Sequence, residues 1–256
     1  MIKSSKSNNL CSFKWTENVR NGLSFRLPRK IIDEGYWSNL SSASKAVYLP
    51  LLKFTNKQGA AWPSQRTLAI VSGVTEKTAG KGIKGLNGLP GFGKKQYITR
   101  RGHTANHYHI KEPAPDYDHT IWFSHDYING GNWSQLTPAA KAVFPVLKSF
   151  AWWDLDMYCD LEDIPYTPND FSQMYKYRDY DFMNAEEPII CERAGISRRS
   201  LPDTYRNLVN KDFIEPLGVD GEKKIWKVFI SPTQYYKRDA LNQKAEKRYG
   251  SESFTR

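Results

Sequence analysis

The chain has 256 residues, 39% of them hydrophobic, enough for one large domain or two small ones, and its 37 Lys/Arg against 27 Asp/Glu leave a net charge of +10 that suits a polyanionic partner. Cys11, Cys159 and Cys191 lie far apart with no CxxC, which argues against a zinc site and against a disulfide framework. The N-terminal stretch lacks the apolar core of a signal peptide, and no apolar run reaches the ~18 residues that span a bilayer, so a cytoplasmic protein without membrane contact is expected.

Residues 1–22 are polar and read as a flexible tail. Phe25 to Ile32 is a short apolar segment leading into a repeat. Gly35–Tyr48 and Gly131–Phe144 align at a constant separation of 96: Trp37 meets Trp133, Leu40 meets Leu136, and Lys45-Ala46-Val47 meets Lys141-Ala142-Val143. Leu51 and Leu147, then Phe54 and Phe150, continue the match. Each copy places a cap before an amphipathic helix: Ser41 or Ser42 in the first, Thr137 followed by Pro138 in the second. The matched tryptophans favour core packing over base stacking. Charge is uneven between the copies. Residues 1–112 hold 19 Lys/Arg and 5 Asp/Glu, residues 113–256 hold 18 and 22, so the cationic surface belongs to the first half.

Trp62 to Leu86 reads as a helix-turn-helix. Pro63-Ser64 starts a helix, with the Ser64 hydroxyl as cap and Leu68, Ala69 and Val71 as apolar face. Gly73 supplies the positive φ that ends it. Thr75 caps a second helix whose inner face is Val74, Ala79, Ile83 and Leu86 and whose outer face is Glu76, Lys77, Lys81 and Lys84. Two short helices about a tight turn, with cations outside the second, suit a DNA major groove. Gly80, Gly82 and Gly85 interrupt that helix at roughly 1 kcal/mol each relative to Ala. Either its backbone approaches something closely, or it firms up only on DNA, or it is merely a tolerable helix.

Trp62-Pro63-Ser64, Leu68-Ala69, Gly73-Val74 and Thr78 resemble the helix-turn-helix of winged-helix DNA-binding proteins, especially plasmid and phage replication initiators. The resemblance implies an α+β, mainly helical fold of two tandem winged-helix domains related by the internal repeat, at 23–111 and 121–231. It also implies sequence-specific binding of double-stranded DNA, at origin repeats in an initiator, with host replication proteins as further partners. A transcriptional regulator is the alternative role, and the chain acts as a monomer or homodimer. No cofactor, metal or catalytic centre is expected.

A second helix-turn-helix is expected around Ile189–Leu208: Gly195 stands for Gly73, Ile196 for Val74, Ser200 for Thr78, Tyr205 for Ile83 and Leu208 for Leu86. Ser197 is its expected cap, and Pro202, just past the first turn, is expected to break a hydrogen bond. Gly195 lies 122 residues beyond Gly73, not 96, so about 26 residues are inserted, near 154–187. That segment holds ten Asp/Glu against Lys176 and Arg178. It reads as a solvated excursion, or as a protein-contact or autoinhibitory element. Asp154, Asp156, Asp160, Glu162 and Asp163 lack the Gly and terminal Glu of a calcium loop. Hairpins follow both units: Gln96–Arg101 with His107–Ile110, then Phe213–Leu217 with Lys224–Ile230 around Asp220-Gly221. Residues 112–120, with the Pro-rich start of that stretch, form a stiff linker, and 232–256 a charged terminal helix or tail.

The expected DNA contacts are Ser64, Thr75, Lys77, Thr78, Lys81 and Lys84 on the first unit, and Lys94, Lys95, Arg100 and Arg101 on its hairpin. On the second they are Ser197, Arg198, Arg199 and Arg206, with Lys223 and Lys224 on the hairpin. Lysine suits phosphate as a point charge and arginine the bidentate reading of guanine, so the first unit is expected to supply affinity and the second discrimination. A rival reading takes His107-Tyr108-His109 as the metal motif of a rolling-circle nuclease, with Tyr205, Tyr235 or Tyr236 attacking phosphate. Its placement on a hairpin strand, without an earlier acid- or His-rich motif, weighs against it. A protein-binding adaptor using the acidic segment is the alternative outside DNA binding.

Overall fold

The computed structural model describes residues 24–56, 58–98, 104–110, 120–163, 178–220 and 223–231. The expected tail, the first hairpin's tip, most of the linker, part of the acidic segment and the charged C-terminal stretch lie outside these. Strand β1 (Ser24–Pro28) leads through α1 (Lys30–Asp33) and α2 (Tyr36–Asn39) into α3 (Ser42–Lys53), then β2 (Ala60–Ala61), α4 (Gln65–Ser72), α5 (Glu76–Gly85), β3 (Phe92–Ile98) and β4 (Thr104–Ile110). The chain continues with β5 (Thr120–Ser124), α6 (Asp126–Asn129), a 3₁₀ turn at Trp133–Gln135, α7 (Pro138–Phe150), α8 (Leu155–Glu162) and β6 (Tyr180–Met183). It closes with α9 (Glu187–Ala194), a 3₁₀ turn at Arg198–Ser200, α10 (Leu201–Asn210), β7 (Ile214–Asp220) and β8 (Lys223–Phe229). The fold is thus mixed helix and strand. The caps are those of the local chemistry: the Ser41 hydroxyl accepts from the Ser44 N–H, and the Thr137 hydroxyl from the Ala140 N–H, with Pro138 in the first turn of α7. Among the described residues no helix is long and apolar enough to cross a membrane.

Three antiparallel sheets result, ordered β1-β5, β2-β4-β3 and β6-β8-β7. The first hairpin is longer than its alternation suggests, pairing Phe92 with Ile110 through to Ile98 with Thr104. Strands β2 and β6 are additions to the expected elements. Strand β6 falls within the acidic segment, and its Tyr180, Phe182 and Met183 are buried. Asp181 is ion-paired to Arg178 (2.7 Å) and lies 3.8 Å from Lys148 of α7. Burial pulls the Lys148 ammonium below its usual range, and Asp181 partly opposes this. Helix α8 packs Tyr158 and Cys159 into a satellite cluster with Tyr180, Phe182 and Phe229. Asp154 caps α8 through the Met157 N–H, and Glu162 accepts from the Tyr180 hydroxyl (2.5 Å) and Lys227 (3.0 Å). Within the described part of the segment, β6 is thus built into a sheet and α8 packs against it, while Asp154, Asp156, Asp160, Glu162 and Asp163 stay exposed. The linker assignment shifts as well, since Thr120 already belongs to β5.

One apolar core runs through both halves of the chain, and the contacts that join them come in exchanged pairs. The Trp37 indole donates to the Ala142 carbonyl (2.8 Å) and the Trp133 indole to the Ala46 carbonyl (2.9 Å); both tryptophans are fully buried. Pro50, inside α3, has no N–H for the Ala46 carbonyl one turn back, and the Trp133 indole fills the vacancy. Strands β1 and β5 pair about Arg26↔Trp122, whose separation is again 96 residues. There the Arg26 guanidinium lies over the Trp122 ring (5.7 Å), and Phe25 stacks on Phe123 (5.5 Å). The turn at Gly73 abuts the Ser134 carbonyl and the turn at Gly195 the Ser38 carbonyl, each so closely that a Cβ would stand 1.9 Å or 2.2 Å from the oxygen. With φ of 64° and 63°, both positions need glycine twice over.

Lys45 and Lys141 are both buried at this junction. Lys45 donates to the carbonyls of Ala194 (2.8 Å) and Ser38 (3.1 Å), and Lys141 to that of Leu136 (2.7 Å). Neither has a carboxylate partner among the described residues, and burial lowers both ammonium groups to about 8. Helix α5 lies on α3 with its glycine face. A Cβ at Gly82 would be 2.4 Å from the Ala43 carbonyl oxygen, and the Ser44 hydroxyl donates to the Gly82 carbonyl (3.0 Å). Close backbone approach thus accounts for Gly82. Gly80 faces only the far end of the Gln65 side chain.

Two outcomes are expected from this packing. Gly82→Ala should destabilise the protein by about 1–3 kcal/mol through overpacking, against the helix-propensity gain, whereas Gly80→Ala should stay within about 1 kcal/mol. Urea unfolding of the two variants checks this, and a more stable Gly82→Ala would contradict it. Unfolded lysines titrate near 10.5, so above about pH 8 the unfolded chain holds more protons than the folded one. Stability should therefore rise with pH from about 8, by up to about 1.4 kcal/mol per pH unit for each lysine, and a Lys45→Met/Lys141→Met variant should lose much of that slope between pH 7.5 and 9.5.

Candidate nucleic-acid interface

Helix α4 begins where the Ser64 hydroxyl accepts from the Thr67 N–H (2.9 Å), and it buries Leu68 and Ala69. Gly73, left-handed, ends it, and the Val74 N–H returns to the Ala69 carbonyl (3.0 Å). Thr75 then caps α5 through the Thr78 N–H (3.2 Å). Ala79, Ile83 and Leu86 are buried as their spacing requires, which leaves Lys77, Lys81 and Lys84 exposed on the opposite face. None of these three lysines forms an ion pair among the described residues. The Gln65 amide donates to the Glu76 carbonyl (2.6 Å), so the amino ends of α4 and α5 lie side by side. Ser64 and Thr75 are exposed there, and Thr78 is half-buried. Arg66, outside the expected set, is exposed in the first turn of α4, and Trp62, ahead of that helix, is 57% exposed and stacks on His107. Both stand beside the Ser64 cap that marks the start of α4.

The second pair is α9 and α10 about Gly195, whose turn repeats that of Gly73: the Ile196 N–H returns to the Cys191 carbonyl (3.1 Å). Its entry differs. The Ser197 side chain makes no cap bond; the chain passes instead through the 3₁₀ turn, and α10 begins at Leu201 with Pro202 in its first turn. A first-turn N–H has no helical acceptor, so Pro202 breaks no bond, contrary to the sequence expectation. Tyr205 and Leu208 are buried, and Arg198 and Arg199 are exposed without ion-pair partners among the described residues. Arg206 is paired with Asp203 (2.9 Å), and Lys224 with Glu187 (3.0 Å). The second face is therefore partly self-neutralised, where the first, among the described residues, is not.

The hairpin cations are only partly placed. Lys94 and Lys95 lie on β3 and Lys223 on β8 as backbone positions, and Arg100 and Arg101 fall outside the described residues. In the His107-Tyr108-His109 run, Tyr108 is buried and His107 packs on Trp62. Burial raises the Tyr108 hydroxyl above its usual range. Among the described residues no group of three or more His, Cys, Asp or Glu is arranged to hold a metal ion, and Cys159 and Cys191 are buried free thiols.

Residues 38–89, from α2 through the 3₁₀ turn Leu86–Gly88 that follows α5, match the family description "helix-turn-helix domain". No curated protein matches the chain. The α4–Gly73–α5 unit is thus of the helix-turn-helix type, which suggests DNA as a partner.

Proposed function

We propose that the chain is a sequence-specific binder of double-stranded DNA built from two tandem winged-helix units, 23–111 and 121–231, descended from one repeated unit. The observation that carries this reading is the set of exposed lysines, Lys77, Lys81 and Lys84, without ion pairs among the described residues, on the outer face of the second helix of a helix-turn-helix. Binding rests on counterion release from phosphates and on groove reading, with no catalytic step, metal or cofactor. The first unit supplies most of the affinity. The second reads sequence through Arg198 and Arg199, because Arg206 is already engaged by Asp203. The likeness of Trp62-Pro63-Ser64 and the residues after it to replication initiators supports a role in the cytoplasm at a plasmid or phage origin, with host replication proteins as partners.

Replacing Lys77, Lys81 and Lys84 together with Ala should weaken binding across all duplex sequences. The slope of log affinity against log salt should fall by about 0.9 for each phosphate that the helix no longer neutralises. An unchanged slope would remove this helix face from the interface.

A further inference from the structure

Strand β2 pairs with β4 at Ala60↔His109 and Ala61↔Tyr108, and the next step of that register sets Trp62 opposite His107. The two rings lie parallel, centroids 4.9 Å apart at 8°. Tyr108, between the histidines, points into the core, so this stack is on the sheet's outward side. The Trp62 side remains open, at 57% exposure, which is unusual for the largest apolar ring in a protein. Trp62 stands two residues before the Ser64 cap, at the end of the molecule where the amino ends of α4 and α5 meet and where Arg66 and Lys77, in the first turns of those helices, are exposed.

We propose that the Trp62–His107 stack is a platform for a nucleobase of an unpaired DNA strand next to the duplex held by α5. This rests on the DNA-binding reading above. The first helix of a helix-turn-helix crosses the phosphate backbone. Paired DNA offers phosphates and sugars there, and its base faces are hidden in the stack. A flat ring open on one side gains most from a base released from pairing, and such stacking tolerates any sequence because every base has a π face. Arg66 and Lys77, in the first turns of α4 and α5, supply cations for the strand's phosphates. The site thus adds to duplex binding a preference for a junction between paired and unpaired DNA.

The test uses the full chain with three probes: a blunt 30-bp duplex, the same duplex ending in a six-nucleotide unpaired fork, and single-stranded dT20. The native protein should bind the fork at least about 5-fold more tightly than the blunt duplex. Trp62→Ala and Trp62→Leu should abolish that excess while leaving blunt-duplex affinity within about 2-fold, and Trp62→Phe should retain most of it. Urea midpoints establish that the variants are folded, and Trp62→Phe against Trp62→Leu decides the matter if Trp62→Ala is not. No fork preference in the native protein, or equal weakening on blunt and forked DNA, would overturn the platform and make Trp62 a backbone-contact or packing residue. Binding to dT20 as tight as to the fork would also overturn it, by making the junction irrelevant. Blunt-duplex binding that depends on Lys77, Lys81 and Lys84 without a fork effect would sink the platform alone. Failure to bind any probe would sink the DNA-binding reading with it.

Discussion

Two indole N–H groups, each donated to a helix carbonyl in the other half of the chain, set the geometry on which the remaining structure depends. The Ala46 carbonyl has no helical donor because Pro50 stands one turn later, and Trp133 supplies the missing bond. Trp37 makes the corresponding bond to Ala142, beside the carbonyl that Pro145 leaves without its helical donor. A buried carbonyl without a donor costs about 1–3 kcal/mol, which the Trp133 indole offsets at Ala46, and separating α3 from α7 would expose two large apolar rings to water. The β1–β5 ribbon extends the same junction, pairing strands that precede the two matched segments.

The junction reaches the candidate interface through two glycines. Gly73 and Gly195 are the turns from which α5 and α10 depart, and each is seated on a carbonyl from the opposite half. The orientation of α5, and of the Arg198–Ser200 turn with α10, is therefore referred to the other half as well as to its own core. Lys45 reinforces this, bridging the end of α9 to α2 without a counter-charge among the described residues. Asp33 and Arg193, 2.5 Å apart, join α1 to α9 at the rim, where solvent makes the pair weak.

What could be read from sequence was what local chemistry decides. Ser41, Ser64, Thr75 and Thr137 cap helices because a short polar side chain before an apolar period has one good use. Gly73 and Gly195 were legible for the same reason, and the exposure of Lys77, Lys81 and Lys84 follows from the 3.6-residue period of α5. Non-local features were hidden. Strand β2 has two residues and shows no alternation; β6 carries Asp181, whose partners are distant in sequence or outside any pattern. Ser197 was expected to act as Thr75 does, but Pro202 shifts the helix start to Leu201 and gives the preceding turn 3₁₀ geometry. The lock between the halves has no local signature, because its donors and acceptors lie about a hundred residues apart.

The proposed duplex binder would then be a dimer-like arrangement carried on one chain with two unlike reading faces, lysine-rich on α5 and arginine-bearing at the start of α10. The most direct measurement is the mass of complexes formed on DNA sites selected from a random pool. The expected result is one chain per site, on non-palindromic sequences with two unlike halves roughly one helical turn (~10 bp) apart. Selection of a palindrome carrying two chains, with the same half-site read by each, would contradict it.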